Sequence, residues 1–536
     1  MFRGHHTPDP EHEGKQIQTS QDDHGRIIRV VMSPEDGEIK WREWTASTFA
    51  LAVAEQKPVL LALGPAWCRG TDEMHRFSYT DPDVVQVVSE QFVPVRVDPD
   101  RRPDIGERYT LDGWPTTAFL TPSGALLGGG GHLDAARLAV VLRQVLDAFA
   151  AQPDAGNLEI GSPSRHDAAA APPGPAAAHL DSEAAGQWFD HELRTQFDPT
   201  RAGFGSGPKR PHPSALKAAL LRGRHGSPGH LTDIVRATLD AIADGGLADT
   251  VEGGFFRYCE QPDWSRPHVE KVLTVNARLI DLFLTASRIF DLAHYAERAA
   301  ETIRFVHDTL SDADGGFFAS QRADPDYSAL TTTEERGRHG EPPVDRSVYV
   351  DATATMASAY VLGASVLADS SLLEFAATAV DRVVMETYER GGGVGHIVNG
   401  RPPVRGLLSD QVAASAALLD LYEASGQDVY LDMPQELMAY CQQEMWDEGE
   451  GVRDRIRGSS GHSPPIGLLR EAHRPFALNC DAAVVLGRLA ALTDQTHYRE
   501  QALRVLASQT SVYQARGLDG ADYVLALEQL QTLTGP

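Results

Sequence analysis

The sequence predicts a multidomain chain in which a small α/β domain precedes an all-α ring of six helical hairpins, an (α/α)6 barrel. A glycine-rich signal returns six times in the last two thirds of the chain, about every 50 to 80 residues, with helical stretches between the returns. Such a period indicates one helix pair, closed by a glycine-rich loop, repeated six times. The six returns are Gly203-Phe204-Gly205, Gly253-Gly254-Phe255-Phe256, Gly315-Gly316-Phe317-Phe318, Gly391-Gly392-Gly393-Val394-Gly395, Gly449-Glu450-Gly451-Val452 and Gly517-Leu518-Asp519-Gly520.

Residues 36–150 alternate between helical and strand patterns, which predicts a central sheet covered by helices. The predicted strands are short, continuous apolar runs, which is typical of strands buried on both faces. The expected strands are residues 58–63, 92–97 and 116–120, and the expected helices are residues 44–55, 82–91 and 134–150.

Shifts in composition mark the remaining boundaries. Residues 1–35 are polar and irregular, which predicts a flexible N-terminal extension. Residues 151–181 are rich in Ala, Pro, Gly and Ser, which is typical of a linker. Residues 182–536 form the barrel domain, with helices expected to begin near Glu183, Pro213, Leu231, Thr274, Leu292, Tyr349, Ser371, Ser409, Tyr430, Leu478, Tyr498 and Ala521.

The charge of the chain limits its partners. Its 536 residues carry a net charge of −27, which argues against binding nucleic acid or an anionic membrane surface. There is no run of 18 apolar residues, and the N-terminus lacks the apolar segment of a signal peptide. Only six of the 48 basic residues are lysine, a bias that a GC-rich genome or a salt-adapted host produces. We therefore expect a cytoplasmic protein, with salt adaptation of the host as a further expectation.

The four cysteines stand alone along the chain. No pair has the spacing of a metal site, and four in a chain of this length do not make a disulfide framework. A reducing compartment is expected, with neither a metal nor a cofactor. The cysteines are Cys68, Cys259, Cys441 and Cys480.

One cysteine belongs to a motif that resembles the thioredoxin fold. In that fold a Trp-Cys-x-x-Cys motif opens a helix, whose N-terminus lowers the pKa of the thiol, and a cis-proline faces the sulfur. Here Trp67 and Cys68 follow a predicted strand, and Trp114-Pro115 precedes another. Thr71 stands where the resolving cysteine is expected. A mixed disulfide formed at Cys68 therefore cannot be resolved by a second thiol of this motif. Dithiol reductase activity is not expected. Cys68 is either a relic of the scaffold or a reactive monothiol, to whose thiolate Thr71 could donate a hydrogen bond.

The barrel carries its chemistry-bearing residues beside a glycine-rich return. His268, Glu270 and Lys271 precede a predicted helix, where side chains can reach the cavity of the barrel. His268 and Glu270 are candidates for general acid and base catalysis, and Lys271 could hold Glu270 or an anionic group. Lysine is scarce in this chain, so Lys209 and Lys271 stand out. The alternative is that both lysines form internal salt bridges that brace loops.

Further candidates for substrate contact are polar residues near the same end of the barrel. Asp351 and Asp410 also suit a helix N-terminus, where the helix dipole favours a carboxylate. We expect Arg257 and Tyr258 to lie near His268 and Glu270, because both pairs flank one short excursion of the chain. The candidates are Lys209, Asp249, Arg257, Tyr258, Asp351, Asp410, Asn479 and Asp481.

The combined pattern resembles the family of thioredoxin-domain proteins similar to spermatogenesis-associated protein 20, over about residues 38–536. That resemblance implies a thioredoxin-like front and an (α/α)6 barrel similar to N-acylglucosamine 2-epimerases and six-hairpin glycosidases, and thus a carbohydrate-like ligand by analogy of fold. The chain departs from the family at Thr71, at residues 351–355 and at residues 477–479. The resemblance rests on residues 57–64, 78–84, 92–98, 102–104, 113–115, 203–209, 253–258 and 264–273.

We therefore expect a barrel that binds or processes a small polar, carbohydrate-like molecule, as a sugar epimerase, isomerase or glycosidase does. A monothiol redox protein that uses Cys68 is the first alternative, and a non-catalytic binding or scaffold protein is the second. A protein partner could bind through the thioredoxin-like domain.

Overall fold

The computed structural model describes residues 17–21, 27–31, 38–151, 180–224, 230–399, 404–458 and 464–534. The chain forms two compact units. Two short segments from the first part of the chain, Gly64–Arg69 and Asp98–Arg108, belong to the second unit. The predicted linker, residues 151–181, lies almost wholly outside the described residues.

A four-stranded sheet organises the first unit. Its strand order is β4-β3-β5-β6, with β3 parallel to β4 and antiparallel to β5, and β5 antiparallel to β6. Strands β3 and β5 are buried along their whole length, which explains their uninterrupted apolar sequences. The strands are β3 (Val59–Leu63), β4 (Val93–Val97), β5 (Thr116–Leu120) and β6 (Leu126–Gly130), and the helices of this part of the chain are α1 (Ala46–Glu55), α2 (Arg69–Glu73), α3 (Pro82–Gln91), α4 (Pro103–Tyr109) and α5 (Ala135–Ala151).

Local signals fix several of these elements. The hydroxyl of Thr45 caps α1 by accepting the backbone N–H of Thr48, and Asp81 caps α3 with Pro82 at its first position. The peptide between Trp114 and Pro115 is cis, as the thioredoxin-like motif predicted. Strand β6 was missed because its sequence ends in three glycines, which are unfavourable in strands.

Part of the N-terminal region departs from the irregular structure expected for residues 1–35. Strands β1 (Ile17–Gln21) and β2 (Ile27–Val31) pair antiparallel, with Ile17 opposite Val31 and Gln21 opposite Ile27. Isoleucine and valine supply strand propensity at both of these pairs.

Twelve long helices dominate the described part of the second unit, and each begins within two residues of its predicted start. The (α/α)6 prediction is confirmed. They are α6 (Ser182–Gln196), α7 (Pro213–Arg224), α8 (His230–Asp244), α9 (Leu273–Phe290), α10 (Ala293–Thr309), α13 (Val350–Leu367), α14 (Ser370–Thr387), α15 (Leu408–Ser425), α16 (Val429–Glu444), α17 (Phe476–Thr493), α18 (Thr496–Gln509) and α19 (Ala521–Thr534); the short helices α11 (Pro325–Ser328) and α12 (Thr333–His339) lie between α10 and α13.

Six of the twelve helices form a closed inner ring. Each packs against the next in the order α7, α9, α13, α15, α17 and α19, and α19 packs against α7. The other six lie outside, each mainly against one inner helix, so that α8 pairs with α7, α10 with α9, α14 with α13, α16 with α15 and α18 with α17. Helix α6 pairs with α19, which joins the first outer helix to the last inner helix.

The inner helices are apolar because they are covered on most sides. Helices α13 and α17 have the length and hydropathy of a membrane span, but half of each is buried within the ring. Small residues such as Ala413, Ala414 and Ser415 let neighbouring inner helices approach closely.

Glycine is required where the returning loops meet the outer helices. Gly253 and Gly254 have φ angles of 82° and 78°, in the left-handed region. A Cβ atom at Gly253 would lie 2.6 Å from the carbonyl oxygen of Glu301, and one at Gly254 would lie 2.6 Å from the ring of Phe305. The loop therefore packs directly on α10, and only glycine fits.

Three buried amide side chains tie the loops to the inner helices, and we name them the amide clamps. Each is the fourth residue of its helix: Asn276 in α9, Gln411 in α15 and Asn479 in α17. Each accepts a backbone N–H from the loop and donates to the carbonyl of the same loop residue and to a carbonyl at the start of its own helix. The loop residues are Phe255, Val394 and Val452, respectively.

The amide clamps change the interpretation of Asn479. The sequence placed it among the candidates for substrate contact, but it is fully buried and its amide makes three backbone hydrogen bonds. In α13 the fourth residue is Thr353, whose buried hydroxyl has no hydrogen-bond partner among the described residues. The clamp is thus absent from that repeat.

Candidate functional site

The candidate site lies where the long connections lead into the inner helices. Short strand pairs stiffen these connections: β7 (Tyr258–Cys259) pairs with β8 (Pro267–His268), and β9 (Lys271–Val272) pairs with β10 (Ser320–Gln321), which also pairs with β11 (Val344–Asp345). Strands β12 (Trp446–Asp447) and β13 (Gly451–Val452) pair in a later connection. The N-terminal ends of the inner helices and these connections therefore meet at one end of the ring.

The structure brings His268, Glu270, Arg257 and Tyr258 together, and we name this group the His268 cluster. Arg257 Nε donates to Glu270 Oε1 at 2.5 Å. The Tyr258 hydroxyl lies 2.8 Å from His268 Nε2, and His268 Nδ1 lies 3.8 Å from Glu270 Oε1. The antiparallel pairing of β7 with β8 produces this grouping, because Tyr258 and His268 are direct partners.

Part of the His268 cluster is open to solvent. The side chain of His268 is 32% exposed, whereas that of Glu270 behind it is 2% exposed. Burial lowers the pKa of His268 below its ordinary value, despite the opposing effect of Glu270, so the imidazole is neutral at pH 7 and able to accept a proton. Arg210 lies over the ring of Tyr258, with its guanidinium carbon 4.5 Å from the ring centre.

Trp67 joins the His268 cluster from the segment Gly64–Arg69. The guanidinium carbon of Arg257 lies 4.8 Å from the centre of the Trp67 ring. The indole N–H of Trp67 donates to Asp100 Oδ2 at 2.7 Å. Arg257 is thus held between an aromatic face and a buried carboxylate.

Lys271 points away from the His268 cluster into a bracing cluster formed with Asp249, Glu252 and Arg336. Its ammonium donates to Asp249 Oδ2 at 2.7 Å and to the carbonyl of Gly253 at 2.8 Å. Arg336 donates to the same oxygen of Asp249 at 2.6 Å. Although burial opposes the shift, the hydrogen bond from Arg336 and the charge of Lys271 lower the pKa of Asp249. Lys271 and Asp249 are therefore occupied by each other, as the bracing alternative predicted.

Lys209 is also a brace. It is fully buried, and its ammonium donates to Asp198 Oδ2 at 3.0 Å and to the carbonyl of Gly205 at 2.8 Å. These contacts hold the first glycine-rich return closed, and the buried ammonium does not reach solvent.

Asp351 and Asp410 meet a histidine that the sequence analysis did not single out. His396 Nδ1 lies 2.9 Å from Asp410 Oδ1, and His396 Nε2 donates to the backbone carbonyl of Asp100 at 2.7 Å. One potential ligand atom from each of Asp351, His396 and Asp410 lies within 4.8 Å of the other two. We name these three residues the Asp-His-Asp triad. His396 directly follows the fourth glycine-rich return, which is the one signal that could have indicated it.

The surroundings of the Asp-His-Asp triad are acidic. Burial raises the pKa of Asp98 to about 6, and burial together with the charge of Asp98 raises that of Asp100 to about 7. Asp345 raises both values further. Burial raises the pKa of Asp410 to about 6. The pKa of His396 is raised to about 10 because Asp410 and Asp351 outweigh the effect of its burial, so at neutral pH the imidazole carries a charge.

A second group of polar side chains faces the inside of the ring. Asp481 on α17 is exposed, but protein surrounds it closely. That surrounding protein and the charge of Asp522 on α19 raise its pKa to about 6, and Arg278 on α9 and Lys217 on α7 oppose the shift. Charges from three other inner helices act on one carboxylate only if it points into the ring. The lumen is thus polar and hydrated at the level of Asp481.

The thioredoxin-like residues are packed rather than exposed. Cys68 is 5% exposed, and the hydroxyl of Thr71 is buried with no hydrogen-bond partner among the described residues. A Cβ atom at Gly70 would lie 2.8 Å from Pro115 Cδ, so the helix start packs on the cis-proline, which Trp114 precedes. Burial raises the pKa of Cys259 to about 12 and shifts those of Cys441 and Cys480 upward, which makes these thiols unreactive at neutral pH.

Two surface grooves lie elsewhere on the second unit. One, of about 540 Å³, is lined by α14 together with Asp314 and Asn399. The other, of about 420 Å³, is lined mainly by α17, α18 and α19. Neither contains a residue proposed from the sequence.

Comparisons with known proteins agree with the two parts of the chain. Residues 30–157 match the family model Thioredox DsbH, described as a protein of unknown function, DUF255. Over 317 residues, 53% of this chain and 39% of the relative, the sequence is 27% identical to spermatogenesis-associated protein 20 of Mus musculus. This chain is homologous to spermatogenesis-associated protein 20. An uncharacterised protein of Caenorhabditis elegans is 24% identical over 314 residues, 55% of this chain and 43% of that protein. The match thus spans less than half the length of the worm protein, as it does for spermatogenesis-associated protein 20.

Solved structures share the fold of the helical ring. The cellobiose 2-epimerase of Spirochaeta thermophila aligns with a TM-score of 0.51 at 16% identity, covering 66% of this chain and 96% of that one. A D-mannose isomerase aligns with a TM-score of 0.50 at 12% identity, covering 66% and 97%. The fold class and the resemblance predicted from the sequence are confirmed.

Proposed function

We propose that the helical ring binds a small carbohydrate-like molecule at the His268 cluster and transfers a proton on it. The observation that carries this proposal is a partly exposed, neutral imidazole whose Nε2 lies beside the Tyr258 hydroxyl and Glu260, and whose Nδ1 faces the buried carboxylate of Glu270. A neutral imidazole beside a buried carboxylate is suited to proton abstraction and return near pH 7.

The remaining contacts of the cluster suit a hydroxyl-rich ligand. Sugars are recognised by planar polar groups that fix their hydroxyls and by aromatic faces that cover their C–H surfaces. Arg210 and Arg257 supply planar polar groups next to His268, and each lies against an aromatic ring, Tyr258 and Trp67 respectively. The polar lumen at Asp481 offers further hydrogen bonds.

The reaction class that we propose occurs on this fold. Among the solved structures that share the ring are a cellobiose 2-epimerase and a D-mannose isomerase. Both names describe a change at a sugar carbon beside a carbonyl, which requires a proton to be moved. At this level of identity the likeness supports the fold alone, so the reaction must be tested directly.

The test is exchange of hydrogen from a free sugar into deuterated water. We expect the full chain, incubated with aldoses and reducing disaccharides, to incorporate deuterium beside the carbonyl carbon, as seen by NMR. His268→Ala should abolish exchange and change the melting temperature by less than about 2 °C. His294→Ala is the matched control, because His294 is an exposed histidine on the outer helix α10.

Two outcomes would count against this function. Exchange that persists in His268→Ala would exclude the imidazole as the proton carrier. A loss of several degrees in melting temperature, with sugar binding retained, would show that the His268 cluster is a brace. The redox alternative has less support, since a monothiol nucleophile must be exposed and Cys68 is buried.

A further inference from the structure

We propose that the Asp-His-Asp triad is a binding site for one divalent transition-metal ion, Zn²⁺ or Mn²⁺, with His396 Nδ1 and one oxygen each from Asp351 and Asp410 as ligands. The site is distinct from the His268 cluster and does not depend on the proposed sugar chemistry. Three protein ligands leave positions open for water or a ligand, as in catalytic zinc sites.

The first argument is the hydrogen bonding of the histidine. A backbone carbonyl can only accept, so the Asp100 carbonyl, 2.7 Å from Nε2, fixes the proton on Nε2. The Nδ1 atom then faces the two carboxylates. Histidines that ligate metals through one nitrogen are usually oriented in this way, with the other nitrogen donating to a carbonyl or carboxylate.

The second argument is an unused ligand atom. Asp410 is fully buried, its Oδ1 lies against His396, and its Oδ2 has no hydrogen-bond partner among the described residues. A buried carboxylate oxygen without a partner is costly. An ion shared with Asp351 and His396 would satisfy it.

The third argument is the grouping of the ligand atoms. The triad brings two carboxylates, Asp351 and Asp410, against one imidazole, and Asp410 is fully buried. A divalent cation between them would balance the two negative charges, with the neutral imidazole as the third ligand.

The choice of ion follows from the ligands. Imidazole nitrogen suits Zn²⁺, carboxylate oxygen suits Mn²⁺, and both ions accept a mixed set. Bonds of about 2.1 Å place ligand atoms roughly 3–4 Å apart around the ion. The ligand atoms already lie within 4.8 Å of one another, so small side-chain rotations complete the geometry.

The test uses the full chain, freed of metal with EDTA and titrated with zinc or manganese chloride. We expect one ion per chain by calorimetry, a rise of several degrees in melting temperature, and loss of the free Mn²⁺ EPR signal. Asp351→Asn and Asp410→Asn should each weaken the affinity at least tenfold. Asp481→Asn is the control, because this aspartate also lies near the start of an inner helix but outside the triad, and it should bind the ion unchanged.

Asp351 is only half-buried, so Asp351→Asn serves as the decisive variant if Asp410→Asn does not fold. The proposal is overturned if the wild-type chain binds fewer than about 0.2 ions with no thermal shift. It is equally overturned if the Asp351→Asn variant, shown by circular dichroism to be folded, binds the ion as tightly as wild type.

Discussion

At the scale of single residues, two buried lysines show how position decides the role of an ammonium group. Lys271 and Lys209 stand in motif-like segments of a lysine-poor chain, and both could have served a ligand. Each ammonium instead donates hydrogen bonds to a carboxylate and to a backbone carbonyl. Once those partners are in place, removing the lysine deprives its carboxylate of a close cationic partner.

Replacement of Lys271 by methionine should therefore lower the free energy of unfolding by about 2–3 kcal/mol, because Asp249 keeps Arg336 but loses its other buried cationic partner. The matched control is Lys217→Met. Lys217 pairs with Asp281 in a partly exposed position, 25% and 30% exposed, so its loss should cost less than about 1 kcal/mol. Urea unfolding measures both values. Equal losses in the two variants would contradict the brace.

Asp481 predicts a pH dependence with a definite sign. Its pKa is raised to about 6 in the folded chain, so the folded state holds the proton more tightly than the unfolded state. Stability is favoured at low pH and falls as pH rises from about 4 through 6. Asp481→Asn should remove that fall, so its melting temperature relative to wild type should increase between pH 4 and 7, by about 2 °C at most because water screens the carboxylate.

Asp494→Asn, at the other end of α17, is the control for this measurement. If the melting temperatures of Asp481→Asn and wild type differ by the same amount at every pH from 4 to 7, Asp481 does not titrate in this window.

At the scale of elements, the amide clamps explain how three of the six inner helices are fixed to the loop before them. Asn276, Gln411 and Asn479 satisfy the backbone groups of a loop residue that would otherwise be buried without partners. Thr353 occupies the same helical position in α13 and makes no such bond. The α13 repeat is therefore tied less firmly than its neighbours.

Thr353→Asn should restore the clamp, since the two side chains have similar volumes. We expect a gain of about 1 kcal/mol in the free energy of unfolding, or a higher melting temperature by a few degrees. Thr353→Val is the control, because it removes the unpartnered hydroxyl without adding an amide. Phe317 is the loop residue in this repeat that corresponds to Phe255. If Thr353→Asn destabilises the chain while Thr353→Val does not, the amide does not reach the backbone of Phe317.

The helices could be predicted from the sequence more readily than the tertiary contacts between them. Apolar periodicity and the glycine returns located twelve helix starts within two residues, because both signals are local. The grouping of Tyr258 with His268 was also predictable, because a short hairpin joins them. The Asp-His-Asp triad was not, since its residues come from two helices and a loop, and the carbonyl that orients His396 comes from residue 100. Asn479 was misread because a buried amide that serves the backbone looks the same in sequence as one that serves a ligand.

At the scale of the whole molecule, the boundary between the units does not follow the order of the chain. The segment Asp98–Arg108 belongs to the helical unit. Within that unit Arg108 donates to both carboxylate oxygens of Asp454, at 2.5 and 3.0 Å, and both side chains are nearly buried. Residues far apart in sequence thus complete one structure.

A fragment that begins at residue 180 should accordingly be less stable than the full chain. Asp454 would lose a buried bidentate partner, and His396 would lose the carbonyl of Asp100. We expect a melting temperature at least several degrees below that of the intact protein. Limited proteolysis provides the comparison, since the composition of residues 151–181 predicts that cleavage occurs there. A fragment as stable as the intact chain would mean that these contacts contribute little.

The closure of the ring has a consequence for synthesis on the ribosome. The inner helix α7 packs on α19, and the chain between them runs from Arg224 to Ala521. At roughly 5–20 residues per second, α7 emerges some tens of seconds before the helix that covers one of its sides. During that interval its apolar flank is exposed to other nascent chains, so chaperones that bind apolar segments should associate with this protein until translation has passed α19.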